Sequence, residues 1–316
     1  MSTPPPYIGI DVAKAELVVA NGDAELFRVP NTSAGHRDLV KRLRQLSPAA
    51  VVMESTGPYG RDAAAALTAA GYHVAIVQPG RVRAFAASLG IRAKTDPIDA
   101  RVIARFAAAT KPRCFTPSSA AITRLRALND RRDQLIDMRI QEENHLESVT
   151  DPLVAKDLRA NIKRLLAAEK TYTKHMTQAI AHQPELQRLG DRLQQEAGVG
   201  FQTAVTLMTH CPELGRLNRQ QVAALAGLAP YDRASGKHDG RRAIFGGRQR
   251  LRRALYLAAV TASRCSEWLK PYCDRLKAAG KPPKVAIIAC ARKLLVRLNA
   301  LAAELLQDPQ KEPLKA

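Results

Sequence analysis

Apolar residues follow three regimes along the chain, and the regimes divide it. In the first, apolar and polar positions alternate over short runs. "YIGIDVAK", "AELVVANG" and "AELFRVPN" read as three strands, with Asn21-Gly22 supplying turn chemistry between the last two. "GHRDLVKRLRQL" then spaces Leu39, Leu43 and Leu46 as one face of a helix. "AAVVMES" is a continuous apolar run of the kind that fills a buried central strand. A helix of alanines, the strand "HVAIVQP" and helices around 81–89 and 97–109 follow. Three strands and then strand–helix alternation predict a mixed α/β sheet.

The second regime starts near Thr116, where strand signals stop and long charged helices take over. Leu158, Ile162, Leu165, Tyr172, Met176 and Ala179 fall at alternating four- and three-residue steps, broken only by Glu169. That seam is coiled-coil-like, and a plain helical bundle is the alternative. "TDPL" at 150–153 interrupts the run and suggests an antiparallel hairpin. The third regime starts near Arg192 with "EAGVGFQTAVTLM", where Gly198 and Gly200 open an apolar helix. Such a loop offers backbone N–H groups to a phosphate, as in half of a helix-hairpin-helix; a simple helix–helix turn reads equally well. The predicted division is 1–116 as an α/β domain, 117–191 as a helical connector and 192–316 as a mainly helical domain.

Charge changes the picture. The 316 residues carry 49 basic against 29 acidic side chains, a formal net charge of +20. That excess points to a polyanionic partner, nucleic acid ahead of an anionic membrane surface. No apolar run approaches the roughly 20 residues of a spanning helix, and "MSTPPPYIG" has no leader-like pattern, so a cytoplasmic protein is expected. Five cysteines without a C-x-x-C pair argue against a disulfide framework or structural zinc. Aromatics at 4% are too few for a stacking platform along a single strand.

Candidate chemistry concentrates in two places. In "KTDPIDARVIARF", Asp96, Pro97 and Asp99 fill the N-cap, first and third helical positions, which is ordinary punctuation. Asp11 ends the strand "YIGID" and Glu54 ends "VVMES", where ligands gather in open α/β sheets. Together the four acids form a candidate oxygen-ligand set for one or two Mg²⁺ ions, as phosphoryl transfer requires. Capping and ligation are compatible at Asp96.

The second place is "APYDRASGKHDGRRAIFGGRQRLRRALYLAAV". From Arg233 to Arg253 it holds eight Lys or Arg residues and one acid, Asp239, with glycines that let backbone approach a phosphate. Lys237, Arg241, Arg242, Arg248, Arg250, Arg252 and Arg253 are the candidate backbone contacts, and a solvated basic helix face is the ordinary alternative. Ser235 lies among them. Ser-Gly is a common turn dipeptide, yet a cation-lined pocket would both hold a scissile phosphate and activate the hydroxyl.

These stretches, with "GIDVAKAELVVA", "VVMESTGPYG", "GVGFQTA" and "DRLKAAGKPPKVAIIACARKLL", closely resemble the DEDD transposases of the one-ten family of bacterial insertion sequences, from about Tyr7 to Leu305. The resemblance implies a RuvC-like, RNase-H-type domain whose Mg²⁺-binding tetrad falls on Asp11, Glu54, Asp96 and Asp99. It implies a C-terminal transposase domain whose essential serine falls on Ser235. It further implies donor and target DNA as substrates, a noncoding bridge RNA as guide, a covalent phosphoserine link, and homodimers assembling into a synaptic tetramer. A junction-resolving nuclease that needs no serine, and a non-catalytic basic binding protein, are the rival functions.

Overall fold

The computed structural model describes residues 5–22, 24–54, 59–91, 96–231 and 243–307, and gives the backbone alone for 96–98. The chain divides into two compact units, 1–117 and 118–316.

The first unit is built on one five-stranded sheet. Strand β1 (Tyr7–Val12) pairs antiparallel with β2 (Glu16–Asn21), and β2 antiparallel with β3 (Ala24–Pro30). On its other edge β1 pairs parallel with β4 (Ala50–Glu54), and β4 parallel with β5 (Val74–Val77), for an order β3-β2-β1-β4-β5. Helix α1 (Ser33–Leu46) links β3 to β4 and α2 (Arg61–Ala69) links β4 to β5; α3 (Pro79–Ser88) and α4 (Asp96–Thr110) follow. The expected mixed sheet is therefore present, in the RuvC-like, RNase-H-type arrangement.

Period-two alternation sorts the strands between two cores. Ile8, Ile10, Val51 and Met53 face α1 and α2, meeting Leu39, Leu43 and Leu67. Val52, Ala75 and Val77 face the other way, onto Val82 of α3 and Val102, Ile103 and Phe106 of α4. Because both faces of the central strands are covered, their sequences read as unbroken apolar runs. Side chains as deeply buried as Ile103 and Phe106 stabilise the fold by about 1.5–3 kcal/mol each.

The second unit is helical. Helices α5 (Ala120–Ser148) and α6 (Pro152–Ala181) form an antiparallel hairpin. Asp151 caps α6 by accepting from the N–H groups of Leu153 and Val154 at 2.8 and 3.1 Å, with Pro152 at its first position. Leu158, Leu165 and Met176 of the predicted seam are buried. Glu169, the residue out of pattern, accepts a 2.7 Å hydrogen bond from Arg139 of α5, so the seam is crossed by an ion pair where its apolar repeat fails. Helices α7 (Pro184–Gln194), α9 (Arg219–Leu225), α10 (Gln249–Cys265) and α11 (Leu269–Ala278) pack against α12 (Pro283–Gln307), whose Cys290, Leu294, Leu295 and Leu298 are fully buried, while α8 (Phe201–His210) packs on α5, α7 and α10. Two short strands, β6 (Pro230–Tyr231) and β7 (Ala243–Ile244), were not legible in the sequence: two residues carry no period. Among the described residues no helix is long and apolar enough to cross a membrane.

Candidate active site

Asp11 is the penultimate residue of β1, and Glu54 is the last of β4. The two strands run parallel with Ile10 opposite Met53, so one step further the register sets Asp11 beside Glu54. Both side chains alternate onto the sheet face that carries Val52 and Val77, the face covered by α4. Neighbouring strands lie about 4.8 Å apart, close enough for two carboxylates to share one cation. Both residues are half-buried.

Helix α4 is seated on this face by a missing side chain. A Cβ placed on Gly9 would come within 2.2 Å of the Ala100 carbonyl oxygen and 2.4 Å of the Ala104 nitrogen. Glycine at position 9 therefore lets the helix lie directly on β1, two residues before Asp11. Asp96 is the first residue of α4 and Asp99 the fourth, so both stand in its first turn. Asp99 is half-buried, whereas the Asp96 side chain lies outside the described residues. Among the described residues no three His, Cys, Asp or Glu side chains are gathered as a metal-binding group. Asp11, Glu54 and Asp99 offer oxygen only, without His or Cys, and that chemistry fits a hard cation such as Mg²⁺.

Ser235, Lys237, Arg241 and Arg242 lie outside the described residues; the two ends of their segment do not. Pro230 pairs with Ile244 and Tyr231 with Ala243, closing a two-stranded neck. Below it, Gly227 and Gly247 cross so tightly that a Cβ on Gly247 would sit 2.1 Å from the Gly227 nitrogen. The Arg248 N–H donates to the Leu225 carbonyl at 2.9 Å. Its guanidinium grips both oxygens of Glu213 at 2.6 Å and donates to the His210 carbonyl at 2.9 Å. Burial pushes the Glu213 carboxyl up, but hydrogen bonds and charge from Arg248 outweigh it and hold the carboxyl below its ordinary value. The described residues on either side of 232–242 are thus held together by strand pairing, crossed glycines and an ion pair.

The other candidate contacts divide by role. Arg248 works inward on Glu213, and Arg250 pairs with Asp130 of α5. Arg252 donates to the Gly246 carbonyl, and Arg253 is exposed. Gly198 has φ of +85° and packs against α10, where a Cβ would meet the Ala258 carbonyl oxygen at 2.5 Å. Gly200 is exposed at the start of α8, with open space where its Cβ would be.

One cationic feature is not legible in the sequence. Arg219 of α9, Tyr272 of α11 and Arg292 and Lys293 of α12 line a groove of about 350 Å³. The Lys293 ammonium sits 4.2 Å from the centroid of the Tyr272 ring. Among the described residues none of these three cations is in an ion pair with a carboxylate. The polar face of α12 is visible in "ACARKLL"; that Arg219 joins it depends on tertiary packing.

Two family models match the chain: a DEDD transposase model over residues 8–153 and one described as "Transposase IS116/IS110/IS902 family" over 190–274. The pilin gene-inverting protein of Moraxella bovis is 30% identical over 308 residues, covering 92% of this chain and 93% of its own. Its namesake from Moraxella lacunata matches with the same identity and coverage. An uncharacterized 43.6 kDa protein of the insertion element IS110 in Streptomyces coelicolor is 33% identical over 111 residues, covering 33% of this chain and 26% of its own.

Proposed function

The chain belongs to the IS116/IS110/IS902 family of transposases, DNA-recombining enzymes, and from that premise we propose an RNA-guided strand exchange that uses two sites. In the first, Asp11, Glu54, Asp96 and Asp99 are the residues that would hold one or two Mg²⁺ ions. When bound, Mg²⁺ supplies neutralisation of the charge that develops on a scissile phosphate. In the second, the Ser235 hydroxyl oxygen attacks the phosphorus. A serine–phosphate bond forms and one DNA phosphodiester bond breaks. The serine proton goes to solvent, and the leaving DNA oxygen takes one up. Attack by a hydroxyl of the partner strand reverses the step and restores Ser235. Each transesterification conserves the phosphodiester bond energy, so strands rejoin without an external energy source. Inverting a gene, as the name of the Moraxella relatives says of them, requires such rejoining.

In this reading Lys237, Arg241, Arg242 and Arg253 meet the DNA or RNA backbone. A bridge RNA pairs with donor and target, so base pairing rather than side chains carries the sequence information. Homodimers bring donor and target together as a tetramer. The observation that supports the chemistry best is the parallel, in-register placement of Asp11 beside Glu54 on the face where α4 begins.

The test is a denaturing gel of end-labelled DNA incubated with protein, Mg²⁺ and the RNA that co-purifies. Wild type should give a slow-migrating labelled protein band, and Ser235→Ala should give neither band nor recombinant. Recombination by Ser235→Ala at the wild-type rate would remove the serine from the mechanism and leave a water-using nuclease.

A further inference from the structure

Asn31 directly follows β3, two strands away from β1. Its side-chain Nδ2 group donates to the Ala13 carbonyl at 2.9 Å and to the Tyr59 carbonyl at 3.0 Å. Ala13 is two residues beyond Asp11, and Tyr59 is five beyond Glu54. One amide therefore ties together the two chain segments that leave the acid-bearing strands. Gly60 lies against Val12, and the Asn31 N–H donates to the Ala15 carbonyl at 2.8 Å, so the bridge sits in a packed junction.

The orientation of that amide follows from its partners. Both carbonyls only accept, so the amide must present its NH₂ group to them and its oxygen to the remaining neighbour. That neighbour is His36 of α1, whose Nε2 lies 2.8 Å from the Asn31 Oδ1. Nε2 must then carry hydrogen. His36 is only 6% exposed, and burial pushes its pKa down against the opposing pull of Asp62, so a neutral ring with its single N–H on Nε2 satisfies the contact. The imidazole is locked by its place in α1, and it locks the amide in turn.

We propose that Asn31, oriented by His36, is a positioning residue for the acidic site: it fixes the spacing of Asp11 and Glu54 by clamping the segments that follow them. The inference rests on the reading of these acids as cation ligands. It assigns them a support from outside their own strands, as metal-site ligands commonly need.

The test is titration of the full-length protein with Mn²⁺ alone, followed by calorimetry, beside thermal unfolding and cleavage kinetics. Asn31→Leu removes both donors without adding charge. It should weaken Mn²⁺ binding by up to about 10-fold, the low end of what losing a direct hydrogen-bond partner of a ligand costs, because Asn31 acts on the acids through their backbone. Its thermal midpoint should fall by only a few degrees, the cost of leaving two carbonyls and the His36 N–H unpaired, and kcat should fall while the KM for DNA holds. His36→Gln, which keeps an N–H donor, should retain most of the affinity, whereas His36→Leu should lose as much as Asn31→Leu. Wild-type Mn²⁺ affinity in Asn31→Leu would overturn the proposal, as would equal losses in His36→Gln and His36→Leu. Asp11→Asn is the control: if it binds Mn²⁺ as wild type does, the cation reading of the acids fails, and the positioning role with it.

Discussion

Replacing Gly9 by Ala tests whether the close seating of α4 on β1 sets up the acidic site. The added Cβ would stand 2.2 Å from the Ala100 carbonyl oxygen and 2.4 Å from the Ala104 nitrogen, where ordinary contact begins near 3.4 Å. Both obstacles are backbone, so no rotamer change relieves them, and α4 must withdraw from the sheet by about 1 Å. Overpacking of this kind costs about 1–3 kcal/mol. Against a typical domain stability of about 5–15 kcal/mol, more than roughly nine-tenths of the protein stays folded. The catalytic loss should be far larger, because a shift of about 1 Å in a reacting group can cost about 100-fold in rate. Urea unfolding gives the first quantity, and DNA cleavage at saturating substrate and Mg²⁺ gives the second. Gly80→Ala in α3 is the control, since nothing lies within 4 Å of its Cβ and the helix gains from alanine. Full cleavage activity in a measurably destabilised Gly9→Ala would refute the link between α4 seating and catalysis. Unchanged stability would refute the contact itself.

Asp11→Asn and Asp99→Asn should abolish Mg²⁺-dependent cleavage and leave nucleic-acid binding near wild type by gel shift; cleavage by either variant returns that residue to a capping or turn role. The folded-state Glu213 carboxyl is held below its ordinary value, so its pairing with Arg248 stabilises the neck fully above that ordinary value and is lost as pH falls through the folded one. The gap in thermal midpoint between wild type and Glu213→Gln should therefore be constant at neutral pH and shrink below about pH 4; a gap that ignores pH would count against the pair. Changing Arg219, Arg292 and Lys293 together to Ala should lower the log–log salt slope of DNA binding by about one for each phosphate no longer neutralised, and an unchanged slope would exclude the groove from the DNA interface.

What was legible in the sequence follows from the range of each interaction. Buried strands such as "VVMES" announce themselves because burial on both faces removes every polar position, and acids that follow such runs stand out as strand ends. The first turn of α4 was readable from Asp-Pro-x-Asp for the same local reason. Pairing was not: Asp11 and Glu54 are 43 positions apart, and only the parallel register of β1 and β4 sets them side by side. Gly9 looked like part of an apolar strand, because the sequence cannot show the helix that presses on it. At Gly198 a phosphate cradle and a helix–helix turn read alike in the sequence, since both call for glycine; its positive φ and its packing against α10 are the part that the sequence cannot show.

The arginines sharpen this limit into a rule for choosing variants. From Arg248 to Arg253, four guanidinium groups carry the same charge within six residues. Yet Arg248 closes the neck on Glu213, Arg250 meets Asp130, Arg252 reaches a backbone carbonyl, and Arg253 is exposed. Arg139 on Glu169 and Arg297 on Glu196 are likewise engaged within the protein. Removing Arg248 or Arg139 takes the arginine partner from a half-buried carboxylate, Glu213 or Glu169, and the penalty falls on folding before it reaches binding. Removing Arg253 touches only the long-range field and any phosphate bound there. Salt dependence measured on the first group therefore mixes two effects, and only the exposed cations report the nucleic-acid interface alone. Arg253→Ala should lower the salt slope with no change in thermal midpoint, whereas Arg248→Ala should lower the midpoint first. The reverse order of effects would mean that Glu213 is satisfied without Arg248 and that the neck is held by its glycines alone.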